Sequence, residues 1–171
     1  MSKSTAIHLY SLDYSEGRTY LYATLFIIGN ILVPRLCHLI PQGGLMLLPI
    51  YFFTLIAAYK FGWKVGLLTA VVSPLANSLL FAMPAPSMLP VIMVKSVLLA
   101  LCASWVARRS GGVSVLALVA VVLMYQVSGS SVEWLLTGSV AAALQDFKLG
   151  VPGMLLQVFG GYAVLKYLLA R

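Results

Sequence analysis

A single lysine interrupts a long apolar run. Lys95 lies about six residues into the stretch Leu89–Ala107, which is about 9 Å from its near end if the stretch is helical. An ionisable side chain at that depth in a membrane costs a few kcal/mol on insertion scales and marks a functional position by default. It snorkels, pairs with backbone carbonyls, or meets a ligand, for which a carboxylate is the natural anionic partner. The polar residues expected at the same level are few: Asn77 and Ser78, Gln126 and Ser128, Gln145 and Asp146, and Gln157. With Tyr51, Phe52, Phe81 and Trp134 as walls they have the make-up of a small-molecule pocket, apolar with a handful of polar groups. The same aromatics also suit a membrane-interface belt. Cys37-His38 sets a thiol beside an imidazole, a pair that could hold a soft metal. Two adjacent residues without a third ligand fit a packed loop better.

Enzyme chemistry finds little footing. The chain has four carboxyl side chains, two of them in its polar first segment. It contains no H-E-x-x-H pair for zinc and no glycine-rich loop to cradle phosphate. His8 and His38 fall in the tail and in a loop, away from any serine they would have to activate. The expectation is a protein that is not an enzyme and uses no cofactor, with any energy from ATP entering through a partner. Cys37 and Cys102 are too few for a disulfide framework.

The elements that must position these residues follow from composition. Of 171 residues, 61% are hydrophobic and 9% charged, against about 25% charged in an average soluble domain. Six membrane spans of about 20 residues each would use most of the chain and leave no room for a soluble domain. Breaks at Pro34-Arg35, at Lys60–Lys64, at Pro84-Ala85-Pro86, at Arg108–Gly112 and at Gly150–Gly153 place five of the spans at about 19–33, 45–59, 65–83, 89–107 and 151–169. The remaining span begins near Val113 and turns polar after Tyr125. Residues 133–149 read as an outer loop with a short helix, or as an extension of that span. Residues 36–44, with a proline and paired glycines, read as a re-entrant or capping loop.

Charge supports this layout. Eleven Lys and Arg oppose four Asp and Glu, a net charge of +7. In a soluble protein that excess would suggest nucleic acid; in a membrane protein it reports orientation, because basic residues stay on the cytoplasmic side. Lys3, Arg18, Lys60, Lys64, Arg108, Arg109, Lys166 and Arg171 fall on one side, Arg35 and Lys148 on the other. The expected fold is an all-α integral membrane protein of six transmembrane helices with both termini cytoplasmic. Residues 1–18 form a polar cytoplasmic segment and 19–171 a single membrane domain. The polar start and the missing small-residue cleavage pattern favour a retained first span over a removable signal peptide. Along the third span, Gly62, Gly66, Ala70 and Pro74 recur every four residues, a small-residue face for helix packing or for docking another membrane protein.

In this order the features resemble the substrate-binding, or S, components of energy-coupling factor (ECF) vitamin transporters. The stretches that carry the resemblance are LCHLIPQGG (36–44), LPIYFFTLIAAYKFGWKVGLLTAVVSPLANSLLFAMPAPSMLP (48–90) and GVPGMLLQ (150–157), its specific part running from His38 to Pro90. Tyr51 stands where many relatives have a histidine, and Lys95 where they often carry an acidic residue. The resemblance implies a multi-pass protein of a prokaryotic cytoplasmic membrane that holds a vitamin-like ligand, anionic if Lys95 meets it, at its outer side. Asn77, Met83, Lys95, Gln126, Trp134, Gln145 and Gln157 would form the pocket, with Tyr51 at its wall and His38 and Gln42 on a lid between spans one and two. The protein would dock, through Gly62, Gly66 and Ala70, on a transmembrane coupling subunit bearing two ATP-binding subunits, and topple to release its ligand inside. The alternative is a small membrane scaffold similar to shape-determination components, with a constant protein partner and no small molecule.

Overall fold

A computed structural model describes residues 8–37 and 39–168. Helix is the dominant structure, with no strand among the described residues. The elements are α1 (Gly17–Cys37), α2 (Gly43–Leu47), α3 (Pro49–Phe61), α4 (Trp63–Phe81), α5 (Leu89–Ser110), α6 (Val115–Thr137), α7 (Val140–Ala143) and α8 (Gln145–Leu149). A last rod begins as α9 (Val151–Leu155) and continues through a π-helical turn at Leu156–Gly160, α10 (Gly161–Ala163) and a second π-helical turn at Val164–Leu168. Five segments are long and apolar enough to cross a membrane: α1, α2 with α3, α4, α5 and α6. A sixth is reached only when Val140–Leu149 and Val151–Tyr167, bent by 57° at their junction, count as one. The chain is therefore built as a multi-pass membrane protein.

Two helices differ from expectation, and a third region meets it. The first runs through Pro34 to Cys37 instead of ending before it. A proline inside a helix lacks the N–H that would bond the carbonyl four residues earlier, here that of Asn30. The side chain of Asn77 supplies the missing donor, its Nδ2 lying 2.9 Å from the Asn30 carbonyl oxygen. The second expected span is broken, because Leu48 takes a left-handed conformation (φ 46°) between α2 and α3. The residues after 133 take both expected forms: α6 extends to Thr137, and short helices α7 and α8 follow.

The third helix is the hub. It packs against α1, α4, α5 and the last rod, and Leu55, Ile56, Ala57 and Ala58 on it are fully buried. Around it lies a continuous apolar core that takes in Leu99, Ala100 and Ala103 of α5 and Leu118, Val121 and Val122 of α6. Helices in a bilayer gain no hydrophobic drive from meeting each other, so close approach and interhelical hydrogen bonds must hold them. Both are present. Asn30 Nδ2 donates to Thr54 Oγ1 at 3.0 Å and to Ser73 Oγ at 3.2 Å, joining α1, α3 and α4. A Cβ added at Gly66 would fall 2.5 Å from the Cβ of Ala58 and 3.2 Å from that of Ala100, so α4 meets both neighbours at a distance only glycine permits.

The two ends of the bundle differ in charge. At one end residues 8–16 fold over the α3–α4 turn: Tyr10 N donates to the Lys60 carbonyl at 2.8 Å, and Lys64 Nζ pairs with Asp13 at 2.5 Å. The turn itself is a single residue, Gly62, at φ 95°. The hydrogen bond from Lys64 holds the Asp13 carboxyl below the usual carboxylate range. Arg108 reaches Ser11 at this same end. Arg35 and Lys148 lie toward the other end, on α1 and α8.

Overfilling a packed core costs about 1–3 kcal/mol, and the Gly66 contact is with backbone-anchored atoms that cannot swing aside. Gly66→Ala is expected to lower the unfolding temperature of the detergent-solubilised protein. Gly17→Ala, with nothing within 4 Å, should leave it nearly unchanged. Equal unfolding temperatures for the two variants would show that α4 does not pack this closely.

Candidate functional site

At the Arg35 end the bundle opens into a pocket of about 490 Å³. Pro34 and Arg35 come from α1, Gly44 and Leu45 from α2, Pro49 and Ile50 from α3 and Asn77 and Phe81 from α4. Met83, Pro84, Ala85 and Met88 come from the loop before α5, and Ile92 from α5 itself. The two proline-interrupted segments, one after α1 and one after α4, thus face each other across it. Among the described residues, the non-glycine positions with left-handed backbone are Gln42, Leu48 and Ala82, all in or beside these segments. The Arg35 guanidinium lies 3.7 Å over the Phe81 ring, a favourable cation–π stack. Asn77 is buried, its Nδ2 donating to the carbonyls of Asn30 and Ser73, each at 2.9 Å.

One turn further along α5 from Ile92, the interior turns polar. Lys95 is buried, and its Nζ donates to Asp146 Oδ2 of α8 at 2.7 Å. Glu133 Oε2 of α6 forms a second ion pair with the same ammonium, at 2.5 Å. The aliphatic stem of Lys95 crosses α6 at Gly129, where an added Cβ would come 2.8 Å from Lys95 Cγ. Gln126, Gly129, Ser130 and Glu133 fall on one buried face of α6. Tyr125 OH donates to Gln157 Oε1 on the last rod at 3.0 Å, and the Tyr125 ring packs on Tyr51 with centroids 5.7 Å apart. Ser96 Oγ, Ser130 Oγ, Gln157 Nε2 and both polar atoms of Gln126 are buried without a protein partner among the described residues. Lipid tails cannot satisfy such groups, so this centre is equipped to hold polar atoms from outside the chain.

The expected site residues divide between these places. Tyr51, Lys95, Gln126 and Gln157 gather in the polar centre, whereas Asn77 and Met83 line the pocket. Trp134 is half exposed and lines a separate groove between α6 and α7–α8. Gln145 starts α8 beside Asp146 but lines none of these hollows. Gln42 is exposed at the turn before α2. Cys37 is buried at the end of α1, and His38 lies outside the described residues. Among the described residues no three His, Cys, Asp or Glu side chains come together as a metal site.

Two expectations are corrected. Lys95 does not wait for an anionic ligand, because Glu133 and Asp146 already answer its charge. Gly62, Gly66 and Ala70 are buried within the chain: Gly66 meets Ala58 and Ala100, and Gly62 meets the backbone at Tyr10–Ser11. That small-residue face is spent on the bundle's own packing and offers no surface to a partner. Sequence reasoning does not pair Glu133 and Asp146 with Lys95, nor bring Arg35 to the pocket. The signal for the first was available: they are the sole carboxyl side chains in the second half of the chain, and a buried amine needs such partners.

No known protein family matches this chain, and neither a curated protein nor a solved structure is detectably similar to it.

Breaking a buried ion pair from one side leaves an unpaired charge and costs about 3–5 kcal/mol. Lys95→Met, which strands Glu133 and Asp146, is expected to lower the unfolding temperature in detergent sharply. The triple variant Lys95→Met, Glu133→Gln, Asp146→Asn should recover much of the loss. A Lys95→Met protein as stable as the original would mean that the three groups are not joined.

Proposed function

We propose that this protein is a substrate-binding subunit of the energy-coupling factor type. It captures a vitamin-like micronutrient at the outer face of a prokaryotic cytoplasmic membrane and delivers it inward with a coupling subunit and two ATP-binding subunits. The observation that carries this reading is the position of the pocket. Its walls include the segment that the family resemblance makes a lid, residues 36–44, through Gly44, and the proline-flanked tip at residues 84–90 that faces it, through Pro84, Ala85 and Met88. Its volume of about 490 Å³ lies within the range of small-molecule sites, about 300–1,000 Å³. Left-handed, strained backbone tends to gather at ligand clamps, and Gln42, Leu48 and Ala82 put it there. The distribution of basic residues supports placing the Arg35 end outside and the Lys60 end in the cytoplasm. With the α4 small-residue face buried, docking on a coupling subunit would use another surface.

The test is to purify the protein in mild detergent from cells grown in rich medium and analyse it by native mass spectrometry. One small organic molecule retained in near-stoichiometric amount is the expected outcome. Cells producing the protein with a coupling module should then accumulate that compound, and cells with the module alone should not. A protein that emerges with no small molecule and with a constant protein partner would overturn the reading in favour of a scaffold.

A further inference from the structure

We infer that the pocket selects an organic acid with a largely apolar body and a hydrogen-bond donor, Arg35 pairing with the acid and Asn77 accepting the donor. This rests on reading the pocket as the capture site and names the class of compound captured. Charge accounting over the whole chain leads to it. The chain has four Asp and Glu residues, and each is engaged away from the pocket. Asp13 pairs with Lys64, and Glu16 accepts from the Asp13 backbone N–H, both at the far end of the bundle. Glu133 and Asp146 converge on Lys95. No carboxyl side chain is left for Arg35, the one charged residue among the described residues lining the pocket. A guanidinium keeps its charge at any ordinary pH.

The geometry narrows the partner. The face of the guanidinium is covered by Phe81 at 3.7 Å, which leaves its N–H edge, and that edge matches the two oxygens of a carboxylate in one plane. Asn77 is the other polar side chain in the wall. Its amide nitrogen carries two hydrogens, and two carbonyls take them, those of Asn30 and Ser73. What Asn77 has left to offer is the acceptor Oδ1, so it favours a ligand N–H or O–H. Every other lining residue among the described ones is apolar or glycine. A neutral apolar compound would leave Arg35, exposed at the mouth, without a partner from the ligand, and a polyanion would bring charge that no other described lining residue meets.

The test uses three probes on the detergent-purified protein, with binding followed by calorimetry. Indole-3-acetate carries the acid and the N–H, indole-3-acetamide is its neutral counterpart, and 1-naphthaleneacetate keeps the acid and lacks the N–H. The expected order is indole-3-acetate first, at least about tenfold tighter than the amide and measurably tighter than the naphthalene acid. Arg35→Gln should bring acid and amide to equal affinity. Should that variant fail to fold, added salt serves instead: it should weaken binding of the acid and leave the amide unaffected. Equal binding of acid and amide, no acid binding at about 1 mM, or an acid preference that survives Arg35→Gln overturns the inference. Equal binding of the indole and naphthalene acids removes the Asn77 part. Phosphatidylglycerol micelles that displace the acid from the original protein and do not bind Arg35→Gln would identify a lipid headgroup site instead, which also overturns it. The outcomes separate from those for transport. Acid preference without uptake would sink the transport reading alone, and uptake of a ligand by a protein blind to the acid would sink this inference alone.

Discussion

Hydrocarbon cannot hydrogen-bond, and the fold depends on how this chain answers the polar groups it carries into the apolar interior. The largest demand is the ammonium of Lys95, and two carboxyl groups meet it from different elements, Glu133 on α6 and Asp146 on α8. That contact decides more than the fate of one charge. It ties the short helices after α6 to α5, and so sets where the chain re-enters the bundle as the last rod. Gly153 then crosses α2 so closely that an added Cβ would sit 2.5 Å from the Leu47 backbone. The same rule operates on a smaller scale at Pro34. A proline in mid-helix would leave the Asn30 carbonyl bare, and the long reach of Asn77 from α4 closes it.

The membrane character of the chain was legible in the sequence because it needs only composition and run length. Helix ends at Lys60–Lys64 and Arg108–Gly112 were legible too, since glycine and charge cannot continue an apolar span. What a linear reading loses is any element whose limits depend on a remote residue. Pro34 looks like a stop until Asn77 is placed beside it. Leu48 looks like ordinary span interior, although it breaks α2 from α3 at φ 46°. No local propensity of leucine foretells that; the break stands where Pro49 opens α3 and where Gly153 of the last rod lies against the Leu47–Leu48 backbone.

The site was legible in part, for the same reason. Lys95 announces itself, since a lone cation in an apolar run has few innocent explanations. Its partners do not, because Glu133 and Asp146 lie thirty-eight and fifty-one positions away and only the fold brings them near. Arg35 announces nothing. A basic residue just past an apolar stretch is what any span end looks like, and the pocket that gives it meaning is assembled from five elements. The small-residue face of α4 misleads in the opposite sense, because its four-residue spacing is the same whether the helix it admits belongs to this chain or to another.

Lys95 and Arg35 therefore have opposite standing. Lys95 is met by two carboxyl groups in the interior, while no carboxyl side chain meets Arg35 at the mouth. An anion entering from the Arg35 end meets attraction first and, one turn further along α5, a cation that two carboxyl groups already engage. The arrangement favours an acid held by its carboxylate at the mouth with its apolar body against Ile50, Phe81 and Ile92. It also lets the buried centre keep Lys95, Glu133 and Asp146 together whether the pocket is filled or not.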